Sequence, residues 1–212
     1  MTDWVKHQAD ALAKQGYTVI VPNLYSRLPN TSKGLDAKTA WLDYDQISDQ
    51  QVSRDLRAAI DYLYQDDQPT AQQPVGLIGY DMGGIYAMEV AGQDLRIAAA
   101  VNYYGRVLYA DTSARRPVSP VEQIFNLQVP LLSFYGEDDP QVPAAQIQAL
   151  RSHLANNPNG IYYEIVDYPG VGHGFLVPTR PGYNAAAARK SEAKTRLFLA
   201  KYLRAAPPKE EE

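Results

Sequence analysis

The chain has 212 residues, no cysteine, 45% hydrophobic content and a formal net charge of −4 with a pI near 5.4. Without cysteine there are no disulfides, thiolate metal sites or thiolate nucleophiles, and the acidic balance argues against nucleic acid or an anionic membrane as main partner, the pair Arg115-Arg116 being too small to alter it. The length suits one domain over residues 1–206 with an acidic flexible tail over 207–212; no apolar run approaches the roughly 18 residues that span a bilayer and no signal peptide is visible, so a cytoplasmic protein is expected.

In chain order, Asp3 to Lys14 reads as a helix ended by Gly16, and Tyr17 to Val21, β-branched and apolar before Pro22, as a strand. Asn23 to Gln46 is a polar loop long enough to be functional. Val52, Leu56, Ala59, Ile60 and Leu63 recur at helical spacing, which predicts an amphipathic helix from Gln46 to Tyr64. A strand at Val75–Tyr80 leads into a helix around Ile85–Val90, followed by a strand at Ile97–Tyr104, a loop at Asp111–Ser119 and a short helix at Pro120–Leu127. The Pro130–Tyr135 strand, a Pro143–Leu154 helix, an Ile161–Val166 strand and an Ala185–Leu203 helix complete the pattern. This alternation predicts an α/β protein with a doubly wound, mostly parallel sheet.

Three strand ends carry chemistry. Residues 79–84, Gly-Tyr-Asp-Met-Gly-Gly, form a strand–turn–helix with small residues two positions either side of Asp81, the shape of a nucleophile elbow. Gly-rich turns of this kind also bind phosphates, but the string matches neither a dinucleotide turn nor a P-loop. Asp138 and Asp139 follow the second candidate strand end, in a setting where Asp-Pro is also a common turn pair. His173, flanked by glycines, follows the third; the other histidines, His7 and His153, fall on helices where a solvated face explains them. Nucleophile, acid, histidine is the chain order of α/β-hydrolase triads.

With these residues in place the chain resembles the dienelactone hydrolase family. The elbow at 79–84 matches except at position 81, residues 139–143 (Asp-Pro-Gln-Val-Pro) match the acid motif and favour Asp139 over Asp138, and Gly-His-Gly-Phe at 172–175 matches the histidine motif. Residues 9–24 match the opening pattern A-x-x-L-A-x-x-G-Y-x-V-x-x-P-x-L; Asn102-Tyr103-Tyr104-Gly105 and the helix around Arg196 also agree. The resemblance implies an α/β-hydrolase fold and hydrolysis of a small ester or lactone. It implies a triad of Asp81, Asp139 and His173, an oxyanion donor at the Met82 backbone N–H, and a substrate pocket drawn from Tyr80, Tyr104, Arg106 and Phe175. No cofactor or metal is called for, and the partner is a small-molecule substrate.

Two departures shape the expectations. The family carries cysteine where this chain has Asp81. The chain also begins at Met1-Thr2-Asp3-Trp4, resembling the start of the family's first long helix, so the sheet is expected to lack its first strands. That would remove the loop supplying a second oxyanion donor and leave sheet surface open to self-association. A carboxylate at the elbow suits attack on saturated carbon, as in the haloalkane dehalogenase and epoxide hydrolase branch of the fold; it also suits a general-base pair with His173, or a non-catalytic descendant.

Overall fold

The computed structural model describes residues 2–28 and 42–203. Part of the expected 23–46 loop, residues 29–41, lies outside the described residues, as does the 207–212 tail. The described residues group into two compact units, one containing residues up to 72 with 113–117, the other residues 73–112 and those from 118 onward.

The first unit holds helices α1 (Asp3–Ala13) and α2 (Asp49–Leu63). Each starts on a hydroxyl cap: Thr2 Oγ1 accepts from Val5 N–H at 3.4 Å and Ser48 Oγ from Gln51 N–H at 3.3 Å, satisfying donors that a helix start leaves unpaired. Of the predicted α2 stripe, Val52, Ile60 and Leu63 are buried. The 113–117 segment is tied in through Asp49 N–H, which donates to Arg115 C=O at 3.0 Å. The Arg116 guanidinium lies 3.7 Å above the Tyr44 ring and donates to the Tyr44 carbonyl. The strand expected at Tyr17–Val21 does not form; these residues run as irregular chain. β-branched side chains favour an extended backbone, but a strand needs a ladder partner, and no described segment pairs with this one.

The second unit is a four-stranded parallel sheet in the order β1 (Val75–Tyr80), β2 (Ile97–Tyr103), β3 (Leu131–Gly136), β4 (Tyr163–Tyr168). β4 starts two residues later than its apolar run suggested because β3 sets the register, pairing Leu131 with Tyr163 and Gly136 with Tyr168. Helix α3 (Met82–Ala91) follows β1 directly; α4 (Pro120–Gln123) passes into a 3₁₀ turn at Ile124–Asn126, and α5 (Ala144–Ala155) and α6 (Ala185–Leu203) complete the unit.

Side-chain alternation along β1 shows that both faces are covered. A Cβ at Gly76 would strike Leu199 and Leu203 of α6, whereas one at Gly79 would overlap the Gly83 backbone of α3. Residues an odd number apart on a strand point to opposite faces, so α3 and α6 cover the two sides. Buried on both faces, β2 and β3 read as nearly continuous apolar runs.

Candidate active site

All three motif side chains lie at the carboxyl ends of strands in the second unit. Asp81 stands one residue past β1 with φ 54° and ψ −119°, a conformation L-residues rarely adopt. The turn is held because Asp81 N–H donates to Tyr103 C=O at 2.9 Å, while Asp81 C=O accepts from Gly84 N–H at 2.9 Å. Asp81 occupies the N-cap of α3 yet makes no side-chain cap bond. The side chain is 50% exposed.

The glycines around the elbow have different reasons. Gly79 is required because strand and helix backbones touch there; Gly83 has open space where its Cβ would be. Gly84 and Gly105 both close on the side chain of Asn102. Asn102 Oδ1 accepts from Gly105 N–H at 2.9 Å, and its amide donates to Tyr135 Oη at 2.7 Å. Tyr135 Oη in turn donates to Gly105 C=O at 3.2 Å. This buried network braces the β2 end beside the elbow. Its sequence signal was a polar residue inside an apolar strand next to Tyr-Tyr-Gly, which motif matching recorded without assigning a role.

Asp139 is fully buried, and both carboxylate oxygens are used. Oδ1 accepts from the N–H groups of Gln141 (2.8 Å) and Val142 (3.3 Å), and Oδ2 faces His173 Nδ1 at 2.7 Å. Asp138 is exposed, so the structure separates the two aspartates that the sequence left in competition. The His173 loop approaches closely through two glycines: a Cβ on Gly136 would overlap the Val171 carbonyl, and one on Gly182 the His173 carbonyl.

His173 therefore lies between two carboxylates, with Nε2 3.5 Å from Asp81 Oδ1. At that separation the pair is an ionic contact and not a formed hydrogen bond; Nε2 is buried and has no hydrogen-bond partner among the described residues. Burial by itself pushes the imidazole pKa down, but the Asp139 hydrogen bond, and then Asp81, more than offset it and raise it to about 9. A pKa of about 9 favours the imidazolium at neutral pH, with Nδ1 toward Asp139 Oδ2 and Nε2 toward Asp81.

The remaining predicted site residues divide. Tyr104 has φ 44°, is 2% exposed, and sets its ring against His173 with centroids 5.0 Å apart at 65°. Phe175 is fully buried, its ring edge-on against Tyr104 (5.3 Å) and Tyr168 (5.4 Å). The Tyr80 ring packs 5.2 Å from Tyr103. Arg106 donates to Gln141 Oε1 at 2.9 Å, on the acid turn. Met82 opens α3, so its N–H belongs to the positive end of the helix. Arg180, which the sequence did not single out, is exposed and packs its stem within 3.9 Å of the Gly174 Cβ position. Among the described residues no group of three or more His, Cys, Asp and Glu side chains is arranged to hold a metal ion, and no helix is long and apolar enough to cross a membrane.

Comparison with known proteins places this geometry. The "Dienelactone hydrolase family" profile matches residues 2–203. A "Probable 2-oxo-3-(5-oxofuran-2-ylidene)propanoate lactonase" of Bradyrhizobium sp is 27% identical over 197 residues, 92% of this chain and 77% of that protein. A "Putative carboxymethylenebutenolidase" of Salmonella typhimurium is 31% identical over 201 residues, 90% of this chain and 69% of that protein. The crystal structure of a "Putative Dienelactone Hydrolase" from Klebsiella pneumoniae superposes with a TM-score of 0.85 at 25% identity, over 95% of this chain and 82% of that one.

Proposed function

Because this chain belongs to the dienelactone hydrolase family of hydrolases and has the α/β-hydrolase fold, we propose that it hydrolyses a small ester or lactone with Asp81, His173 and Asp139 as its working groups. Asp81 is the general base and His173 the general acid. The observation that carries this reading is the buried Nε2 of His173, without a hydrogen-bond partner among the described residues and 3.5 Å from Asp81, on a ring whose pKa is raised to about 9.

A serine hydroxyl or a cysteine thiol at the elbow must first give its proton to a neutral histidine, a role an imidazolium cannot fill. With a carboxylate at position 81 the roles exchange. Asp81 removes a proton from a water molecule, whose oxygen bonds to the carbonyl carbon while the carbonyl π pair moves onto its oxygen. The tetrahedral intermediate collapses by breaking the bond to the alkoxide, which takes the Nε2 proton of His173. Proton transfer from Asp81 to His173 restores the resting state, and the sum is ester plus water giving acid plus alcohol. Asp139 keeps the ring oriented throughout through Nδ1, and the Met82 N–H is a donor for the oxyanion.

A second reading makes Asp81 the nucleophile toward an alkyl halide or epoxide; its carboxylate, which makes no cap bond to the helix and is half exposed, favours this. Forming the alkyl ester would remove the Asp81 charge, lower the His173 pKa and release it as a base for hydrolysis. Turnover in heavy-oxygen water followed by mass spectrometry of the Asp81 peptide separates the two. Label only in the released acid supports the general-base reading; label in the Asp81 carboxylate, with an ester trapped by His173→Gln, replaces it with covalent catalysis. No turnover across ester, lactone, halide and epoxide panels would leave a non-catalytic binder.

A further inference from the structure

Tyr80 pairs in register with Tyr103 across β1 and β2, so Asp81 and Tyr104 are the first residues past two neighbouring strands. Both leave their strands with positive φ, 54° and 44°, and the Asp81 N–H bond to Tyr103 C=O ties the two exits together at 2.9 Å. Tyr104 N–H is fixed on its other side by Phe134 C=O at 2.8 Å. A bulky aromatic held at positive φ is costly, on the order of 1–3 kcal/mol, and such conformations gather at functional sites. Here the conformation places the ring edge-on to His173, against Phe175.

The phenol is unusual among the tyrosines beside it. Tyr103 Oη shares a hydrogen bond with Thr195 Oγ1 at 2.6 Å, and Tyr135 Oη bonds Asn102 and Gly105. Among the described residues Tyr104 makes no side-chain hydrogen bond, although it is only 2% exposed. A hydroxyl left without a partner among the described residues, on the strand exit next to Asp81, has the form of a donor awaiting an acceptor that arrives with substrate.

We propose that the Tyr104 hydroxyl donates a hydrogen bond to the oxyanion of the tetrahedral intermediate, as a side-chain partner to the Met82 N–H. The proposal rests on the general-base reading above. Burial first, and the nearby Asp81 charge next, hold the phenol well above its ordinary pKa, so it remains a proton donor over the pH range in which His173 titrates. Its ring stands edge-on to His173 with centroids 5.0 Å apart, and the Asp81 N–H bond to Tyr103 C=O holds the two strand exits side by side. A donor already in place there stabilises charge as it develops without reorganising.

The test is Tyr104→Phe, which removes one oxygen and keeps the ring packing, with Tyr103→Phe as the comparison because that hydroxyl is committed to Thr195. In the otherwise native chain, Tyr104→Phe should lower kcat on a lactone about 100-fold with KM changed less than about threefold, since a transition-state donor is being removed. Binding is measured separately in an Asp81→Asn background, where turnover is blocked and an anionic probe meets no repulsion from position 81. The probes are a six-membered cyclic phosphonate, tetrahedral and anionic, and the corresponding neutral lactone. Tyr104→Phe should weaken the phosphonate on the order of tenfold or more and leave the lactone within about threefold; Tyr103→Phe should not discriminate. Equal effects on the two probes, or no preference of the Asp81→Asn chain for the phosphonate, would overturn the proposal. Failure of the base reading shows separately, as lactone turnover that survives Asp81→Asn.

Discussion

Asp139 Oδ2 lies 2.7 Å from His173 Nδ1, while its Oδ1 accepts two backbone N–H groups from the turn it opens. A buried carboxylate with every bond assigned cannot swing, so the imidazole it holds presents a single edge, Nε2, toward Asp81.

Asp139→Asn should therefore cost more than the loss of one charge. The amide can offer Nδ1 an N–H where it needs an acceptor, which favours the wrong tautomer and removes a cause of the raised His173 pKa. Turnover is expected to fall by roughly 10³–10⁴-fold, and the His173 titration followed by NMR to move down. A variant retaining near-native turnover would reject Asp139 as the orienting acid.

The raised His173 pKa also makes a stability prediction. Its folded value is about 9 against 6.5 for an unperturbed histidine, so between those values the folded state binds more protons than the unfolded one. The contribution is fully present below about pH 6.5 and is lost as pH rises through about 9. Urea unfolding of the native chain and of His173→Gln should show a stability difference at pH 6 that shrinks by pH 10. A difference independent of pH would contradict the ionic arrangement. Turnover that relies on the Nε2 proton should fall over the same upper limb.

Two glycines in one turn should respond oppositely. Gly79→Ala forces a methyl into the Gly83 backbone, whereas Gly83→Ala meets nothing within 4 Å. The first should destabilise by about 2 kcal/mol or more, of the order seen for overpacked sites; the second should be neutral or stabilising by up to about 1 kcal/mol, since alanine is the better helix residue. Comparable unfolding midpoints for the two variants would disprove the close approach.

Asp81→Cys should create or raise activity on activated aryl esters, because replacing the carboxylate puts a nucleophilic thiol opposite the histidine. Adding His173→Ala should remove on the order of 10²-fold or more of that gain, the contribution of a positioned proton-transfer partner. A gain that survives the second substitution would place the reactive thiol outside the His173 arrangement.

Much of this site was legible in the chain as written. The elbow string, the Asp-Pro-Gln-Val-Pro turn and the Gly-His-Gly-Phe loop carry their own backbone requirements, and each falls after an apolar run of strand length, so β–α order and the identities of Asp81, Asp139 and His173 follow from local pattern. Pairing, burial and charge do not, because they depend on segments distant in sequence. Tyr17–Val21 has strand composition but gains no ladder partner among the described residues, and β4 took its register from β3 instead of from its own apolar run. Only the pairing of β1 with β2 brings Tyr104 to the same end of the sheet as Asp81. The raised His173 pKa, on which the proposed exchange of acid and base roles depends, comes from two carboxylates 34 and 92 residues away in the chain, brought to one imidazole at the carboxyl edge of a parallel sheet.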